Sequence, residues 1–459
     1  MNGYNGWSYT PYEPFLFPRG EIYLCRVAPA RTAIRMEWLG DGNETEILFR
    51  KRGEGEFCPA GSTKKNCFDL TDLVPQTDYE FYLRCGDRKS AVRLARTGES
   101  VGTVVNYLHP DDPYYSFSGR YLCSPSLLRH PDGYLLASMD LFAGQHPQNL
   151  TLIYRSDDGG KTWYYLSELM PCFWGKLFLH KGQVYMLACS TEYGDLLIGR
   201  SDDGGKTFAA PTVLLRGANG KNGSAGVHKN PQPLLSHKGR LYGTLEWGSW
   251  RNKEYGHAAM VMSCDENADL LNPESWAFTP PKPFPADEPE LKGLAPNTMT
   301  IEGTLTITPD GKLLNVMRFG MQGKVLAYEV NPDDPHAPLT YYGLLDLDTT
   351  YSKFMIKYDP PSGFYWSIIS RRHEGCGDNA RNLLSLTRSP DLKAWETVED
   401  LLDFRTCNEK EVGFQYVDFE FDGDDIIFLC RTALNGAANF HDSNYSTFHR
   451  ISAFRTKYE

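Results

Sequence analysis

The chain has 459 residues, enough for about three domains of ~150 residues or for two when one is large. Its apolar share of 41% and charged share of 23% belong to a folded globular protein and exclude a disordered one. The formal net charge of -11 argues against nucleic-acid binding, which needs a net basic face to displace phosphate counterions; it leaves room for a local arginine cluster and an anionic small substrate.

No apolar run approaches the ~20 residues of a membrane span. The opening MNGYNGWSYTPYEPF has neither a basic nor an apolar leader region, so the expectation is a cytoplasmic protein that meets no membrane. The eleven cysteines are odd in number and irregular in spacing, and Cys25, Cys85 and Cys430 lie in strand-like runs. They read as reduced and mostly buried thiols. The 13% aromatic content is that of an aromatic-rich β core first, and is also common in sugar-binding clefts.

Residues 1–17 form an N-terminal segment, and residues 18–98 read as short strands: IYLCRVAP, AIRMEW, TEILFRKR, YEFYLRC and AVRLART, divided by Gly, Asp, Asn and Pro. Trp38 is placed to plug a sandwich core, and LVPQTDYEFYLRC sets Tyr79 just after a turn. These features resemble a fibronectin type III domain. The resemblance implies a packing module without chemistry.

Residues 99–459 have a different texture. YRSDDGGKTW recurs as GRSDDGGKTF, with Ser156 and Ser201 forty-five residues apart. Weaker echoes end at Trp276 and Trp395. In such a turn the Asp caps backbone N–H groups, Gly takes a positive φ and the aromatic packs beneath, so the acidic loop reads as structural rather than as a metal site. Two-residue hairpin signals recur at Gly133, Gly182, Gly239, Gly311, Gly363 and Gly423, each followed by strand residues. The SDDGGKTW turns resemble the Asp boxes (BNR repeats) of sialidases and related propellers. The fold class expected is all-β: an N-terminal sandwich followed by a six-bladed β-propeller, with room for a seventh blade between Gly239 and Gly311.

Function follows from residues facing the bowl of such a propeller. IEGTLTITPDGKLLNVMRF resembles the sialidase blade in which a Glu opens the inner strand and an Arg closes its partner, which puts Glu302 and Arg318 in those places. GFQYVDFEFDGDDIIFL resembles the last-blade stretch carrying the nucleophilic tyrosine, here Tyr416. SGRYLCSPSLLRHPDGYLLASMD resembles the sialidase opening, but Cys123 stands where an arginine belongs. Arg120 is three residues away, and Asp140 is near the place of the acid/base aspartate. Arg371 and Arg372 follow the strand FYWSIIS and are candidate carboxylate ligands, because a guanidinium grips a carboxylate with two parallel bonds.

Other stretches, including NGAANFHDSNYSTFHRISAFR and GVHKNPQPLLSHKGRLY, resemble bacterial propeller enzymes of the ulvan lyase and rhamnosyl-glucuronate group. That resemblance implies cleavage beside a uronate, with a His and a Tyr moving protons. Met139 replaces the histidine some of them carry, which leaves His146, His228 and Tyr193 as candidates. Plainer roles stay open: a turn cap for Glu302, a satisfied core hydroxyl for Tyr416, and a ring-closing polar cluster for His441, Asp442 and His449. His373 and Cys376 lack a second close pair, so no metal is expected, and no cofactor either.

The leading expectation is an exo-acting glycoside hydrolase acting on an acidic oligosaccharide, uronate- or sialate-bearing. Tyr416 would be the nucleophile, Glu302 its proton acceptor and Asp140 the acid. A uronate lyase and a non-catalytic glycan-binding propeller are the alternatives. Oligomeric state is left open.

Overall fold

The computed structural model describes residues 3–10, 22–40, 42–98, 101–112, 114–218, 223–294 and 299–459. Two sheets form between residues 22 and 98. Tyr23–Pro29, Ile34–Leu39 and Cys67–Leu70 make one; Thr45–Lys51, Cys58–Thr63, Asp78–Cys85 and Arg93–Arg96, with the short Arg88–Lys89, make the other. Ile34–Leu39 and Asp78–Cys85 alternate buried and half-buried residues, the period of strands with one face on a core. Trp38 lies in that core with Leu24, Ile47 and Phe81. The Tyr79 hydroxyl accepts the Val74 N–H at 3.0 Å, closing the LVPQTDY turn on itself.

Six antiparallel sheets follow among the described residues, in chain order. The first strands are Tyr121–Arg129, Phe173–His180, Gly226–His228, Thr300–Ile307, Ile356–Asp359 and Gly413–Asp422. Each second strand follows a turn holding one of the six hairpin glycines, all with φ between 63° and 89°. The sixth sheet takes its outer strand, Thr103–Tyr107, from before the first, so the ring closes by pairing the two ends of this region. This is the arrangement of a β-propeller, in which closure removes exposed strand edges. Between Gly239 and Gly311 the described residues add the strands His257–Asp265 and Trp276–Phe278 to the third sheet and build no further sheet.

Both SDDGGKT turns join a third strand to a fourth. Asp158 accepts Thr162 N–H at 2.9 Å and its hydroxyl at 2.6 Å; Asp203 does the same for Thr207 at 2.8 and 2.6 Å. Gly160 and Gly205 donate to Ser156 and Ser201. The carboxylates are thus consumed by the turn itself.

Residues 3–10 of the N-terminal segment pack on the ring. Gly3–Asn5 and Ser8–Thr10 form a hairpin that pairs with the first sheet at Leu169, and Trp7 is fully buried against Phe208, donating to the Pro171 carbonyl at 2.7 Å. The boundary expected at residue 18 lies outside the described residues. The two-sheet module is tied to the ring by a buried Arg93–Asp112 pair at 2.7 Å and by Arg26, which donates to the Trp163 carbonyl at 2.8 Å. All eleven cysteines are free, and six are buried.

Candidate functional site

A cavity of about 380 Å³ opens where the inner strands begin. Its walls arise from one repeated backbone irregularity. In the first, second, fourth and sixth sheets the inner strand shifts register by a bulge: Cys123 to Ser126, Phe173 to Lys176, Ile301 to Thr304 and Gln415 to Asp418. In each bulge a non-glycine residue takes a left-handed backbone: Ser124 (φ 49°), Trp174 (52°), Glu302 (59°) and Tyr416 (56°). Such residues cost of order 1 kcal/mol or more, and bulges re-aim side chains. All four line the cavity.

Two residues further along stand Ser126, Lys176, Thr304 and Asp418, all buried. They stitch adjacent sheets together. Asp418 pairs with Lys176 and accepts Leu127 N–H at 2.7 Å, while Ser126 accepts Leu177 N–H at 2.9 Å. The strain at the cavity is therefore held by cross-links just beneath it.

Glu302, Arg318 and Tyr416 meet in the cavity. Arg318 donates through Nη1 to Glu302 Oε2 at 2.7 Å and to the Tyr416 hydroxyl at 3.0 Å, and through Nη2 to the Tyr351 carbonyl at 2.7 Å. Tyr416 in turn hydrogen-bonds Glu302. Burial works to raise the Glu302 carboxyl, but Arg318 and His228 beside it hold it below the usual carboxylate range. Burial, and then the negative Glu302, push the Tyr416 phenol up against the pull of three arginines.

Two of those arginines were not anticipated from the sequence. The guanidinium of Arg381 lies 5.5 Å from the Tyr416 ring centre and that of Arg431 5.1 Å. Arg381 is 2% exposed and Arg431 4%. Nε of Arg318, Arg381 and Arg431, and Nη1 of Arg381, are buried without a protein partner. Burial, with the like charges of Arg318 and Arg431, brings the Arg381 guanidinium down to about 9. A buried cation with idle donors is costly unless something anionic meets it.

His228 lines the cavity too. Its Nδ1 lies 2.5 Å from Glu246 Oε2, which leaves Nε2 for the cavity side, and its ring packs edge-on to Trp174 at 4.3 Å. Glu246 also accepts Gly303 N–H at 3.3 Å, linking this pair to the Glu302 bulge. Glu192, held by Gln148 Nε2 at 2.9 Å, is the second carboxylate of the lining. His441 lines the cavity rather than serving only ring closure; burial and Arg431 push its imidazole down to about 3, and Asp442 holds its Nδ1 at 2.8 Å.

Other expected site residues lie elsewhere. Asp140 is fully buried outside the lining, accepting Thr151 Oγ1 at 2.5 Å and Trp174 N–H at 2.6 Å; burial raises it to about 7. It supports the Trp174 bulge. Arg371 turns away to Asp400 at 2.7 Å and Arg372 to Asp348 at 2.7 Å, each guanidinium held by a carboxylate outside the cavity lining. Arg120 reaches only the Pro110 carbonyl at 3.5 Å, and His146 is in a turn beyond the lining. Tyr193 is buried behind the wall, with its hydroxyl 3.0 Å from His257 Nε2. Among the described residues no three metal-ligating side chains cluster, and no helix is long and apolar enough to cross a membrane.

No family model and no curated protein sequence matches the chain. Solved structures do. An α-L-arabinanase from Penicillium chrysogenum, complexed with arabinobiose, is similar with a TM-score of 0.51 and 17% identity over 77% of this chain and 98% of that one. A Hadza microbial sialidase matches at 0.51 and 13% identity over 94% and 95%. Trypanosoma rangeli sialidase matches at 0.50 and 14% identity over 77% and 59%. At such identities the likeness is one of fold alone: a β-propeller, as in these three enzymes.

Proposed function

We propose that the chain is an exo-acting glycoside hydrolase that removes a terminal acidic sugar from an oligosaccharide. In this reading the six sheets are six propeller blades, and the N-terminal two-sheet module is a fibronectin type III-like spacer. The observation that carries it is the convergence of three buried guanidiniums, with idle donors, on a tyrosine already bonded to Arg318 and Glu302.

The sugar carboxylate takes the free donors of Arg381 and Arg431, a charge-assisted contact strengthened by burial. Tyr416 oxygen then attacks the anomeric carbon while Glu302 accepts the phenolic proton. A neutral phenol suits this step, because a carboxylate nucleophile would be repelled by the anionic sugar. Glu192 takes the role of general acid toward the departing glycosidic oxygen. Water next attacks the glycosyl–tyrosine bond, returning a proton to Glu192, and Glu302 returns one to the phenolate. The sum is one bond cleaved and one water consumed.

A second reading is supported by His228. With Nδ1 committed to Glu246, its Nε2 is a base facing the cavity, as elimination at a uronate requires. Incubation with sialylated and uronate-terminated oligosaccharides separates the two. Hydrolysis yields products whose summed mass exceeds the substrate by one water. Products summing to the substrate mass, with an unsaturated uronate chromophore, would overturn hydrolysis in favour of elimination.

A further inference from the structure

Eight of the nine tryptophans are buried or half-buried, whereas Trp250 is 61% exposed and lines the same cavity as the arginines. We propose that Trp250 is the platform of a second sugar subsite, on which the ring next to the cleaved acidic sugar stacks. This deepens the hydrolase reading and rests on it.

The indole is exposed yet fixed from behind. Its ring meets His257 edge-on at 4.3 Å. The Tyr193 hydroxyl receives the Trp250 backbone N–H and lies 3.0 Å from His257 Nε2. His257 is half-buried beside His228, their ring centres 5.0 Å apart, and burial followed by the like charge of His228 pushes its imidazole down to about 2. The turn itself is closed by Asn252, which donates to the Ser249 carbonyl at 3.0 Å and receives Tyr255 N–H at 2.8 Å. A side chain held this way loses little freedom on binding, which is how rigid aromatic residues contribute affinity.

The chemistry of the occupant follows from what surrounds it. The cavity floor offers guanidinium donors for a carboxylate, and its lip offers an apolar aromatic face. A pyranose linked outward from the acidic sugar presents a C–H face of that kind to the indole. Tyr193 and His257 are thus positioning residues, acting through Trp250.

The test titrates the full chain with the disaccharides sialylgalactose and digalacturonate, and with the monosaccharides N-acetylneuraminate and galacturonate, by calorimetry, and follows acrylamide quenching of tryptophan fluorescence. The disaccharide that binds is expected to exceed its own acidic monosaccharide in affinity and to shield Trp250 from acrylamide. Trp250→Ala should weaken that disaccharide by about tenfold and leave the monosaccharide within about twofold. Tyr193→Phe, which keeps the ring but frees the Trp250 backbone, should give a smaller loss on the disaccharide alone. Equal binding of disaccharide and monosaccharide in the wild type, or equal losses on both in Trp250→Ala, would overturn the subsite while leaving the hydrolase reading intact. No binding by any of the four acids would overturn both.

Discussion

The inner strands open into space at both ends, and the two ends differ. Where the strands finish lies the larger cavity, about 1020 Å³, lined by Leu128, Leu177, Leu235, Leu305 and Ile356. Three of its cations are paired: Lys357 with Glu420 at 2.7 Å, Arg129 with Asp422 and Lys176 with Asp418. Where the strands begin, the cavity is about 380 Å³, yet it holds four left-handed non-glycine residues and three buried arginines with idle donors. Volume alone would select the apolar end. Strain and unpaired buried charge are features folding selects against, so their concentration at one mouth marks the end shaped for a ligand.

The sharpest way to break this comparison is Tyr416→Phe. The ring and its packing between Arg381 and Arg431 remain, so unfolding should be little changed, while turnover should fall by about 10³-fold or more if the hydroxyl is the nucleophile. Tyr358→Ala, an exposed tyrosine lining the other cavity, should leave turnover within about twofold. Comparable losses in both variants would dissolve the distinction between the two ends. Arg381→Met comes next. It should raise KM about a hundredfold by removing a carboxylate ligand. It should also stabilise the fold, because it removes a desolvated cation crowded by two others, and the Tyr351 carbonyl it leaves still accepts from Arg318. A rise of about 1–3 °C in Tm with lost affinity is the expected pair of results. A fall in Tm would show that the arginine cluster is structural.

Much of this was legible because it is local. A hairpin glycine and an SDDGGKT turn specify their own geometry within ten residues, so the sheets could be marked along the chain. Strand position carried part of the site. Seven residues after Gly133, Gly239 and Gly311 stand Asp140, Glu246 and Arg318, and eight after Gly423 stands Arg431. Each pairs across the hairpin with a residue at the cavity edge: Cys123, His228, Ile301 and Gln415. The same comparison that picked Arg318 could have found Arg431. It also misled at Asp140, because an equivalent position does not give equal reach: a guanidinium extends into the cavity, and an aspartate stops at the Trp174 backbone beneath it. Arg381 had no such signal. It follows a loop and arrives at the cavity only through its bridge to Gly413 in the next sheet, a contact no repeat encodes.

Asp140 supplies the smallest effect and the finest test of where catalysis ends and support begins. Asparagine keeps an oxygen for Trp174 N–H and turns its amide toward the Thr151 oxygen, so Asp140→Asn should keep activity within about threefold. An essential general acid would cost about 10² or more. Asp140→Ala orphans the Trp174 N–H, at a cost of about 1–3 kcal/mol, and lets the bulge relax. Its activity should therefore fall and be restored by asparagine. The pH dependence has a definite sign. With its folded value raised to about 7 by burial, Asp140 keeps its proton in the native state while the unfolded chain has already lost it. Its contribution is thus fully present below about pH 4, declines as pH rises to about 7 and is flat above. Urea unfolding across that range should show this decline in the wild type, and Asp140→Asn should lack it. An unchanged slope in the variant would mean that the Asp140 carboxyl is ionised and held by its three hydrogen-bonding neighbours, Thr151, Ser124 and Trp174, instead of being protonated beneath the cavity.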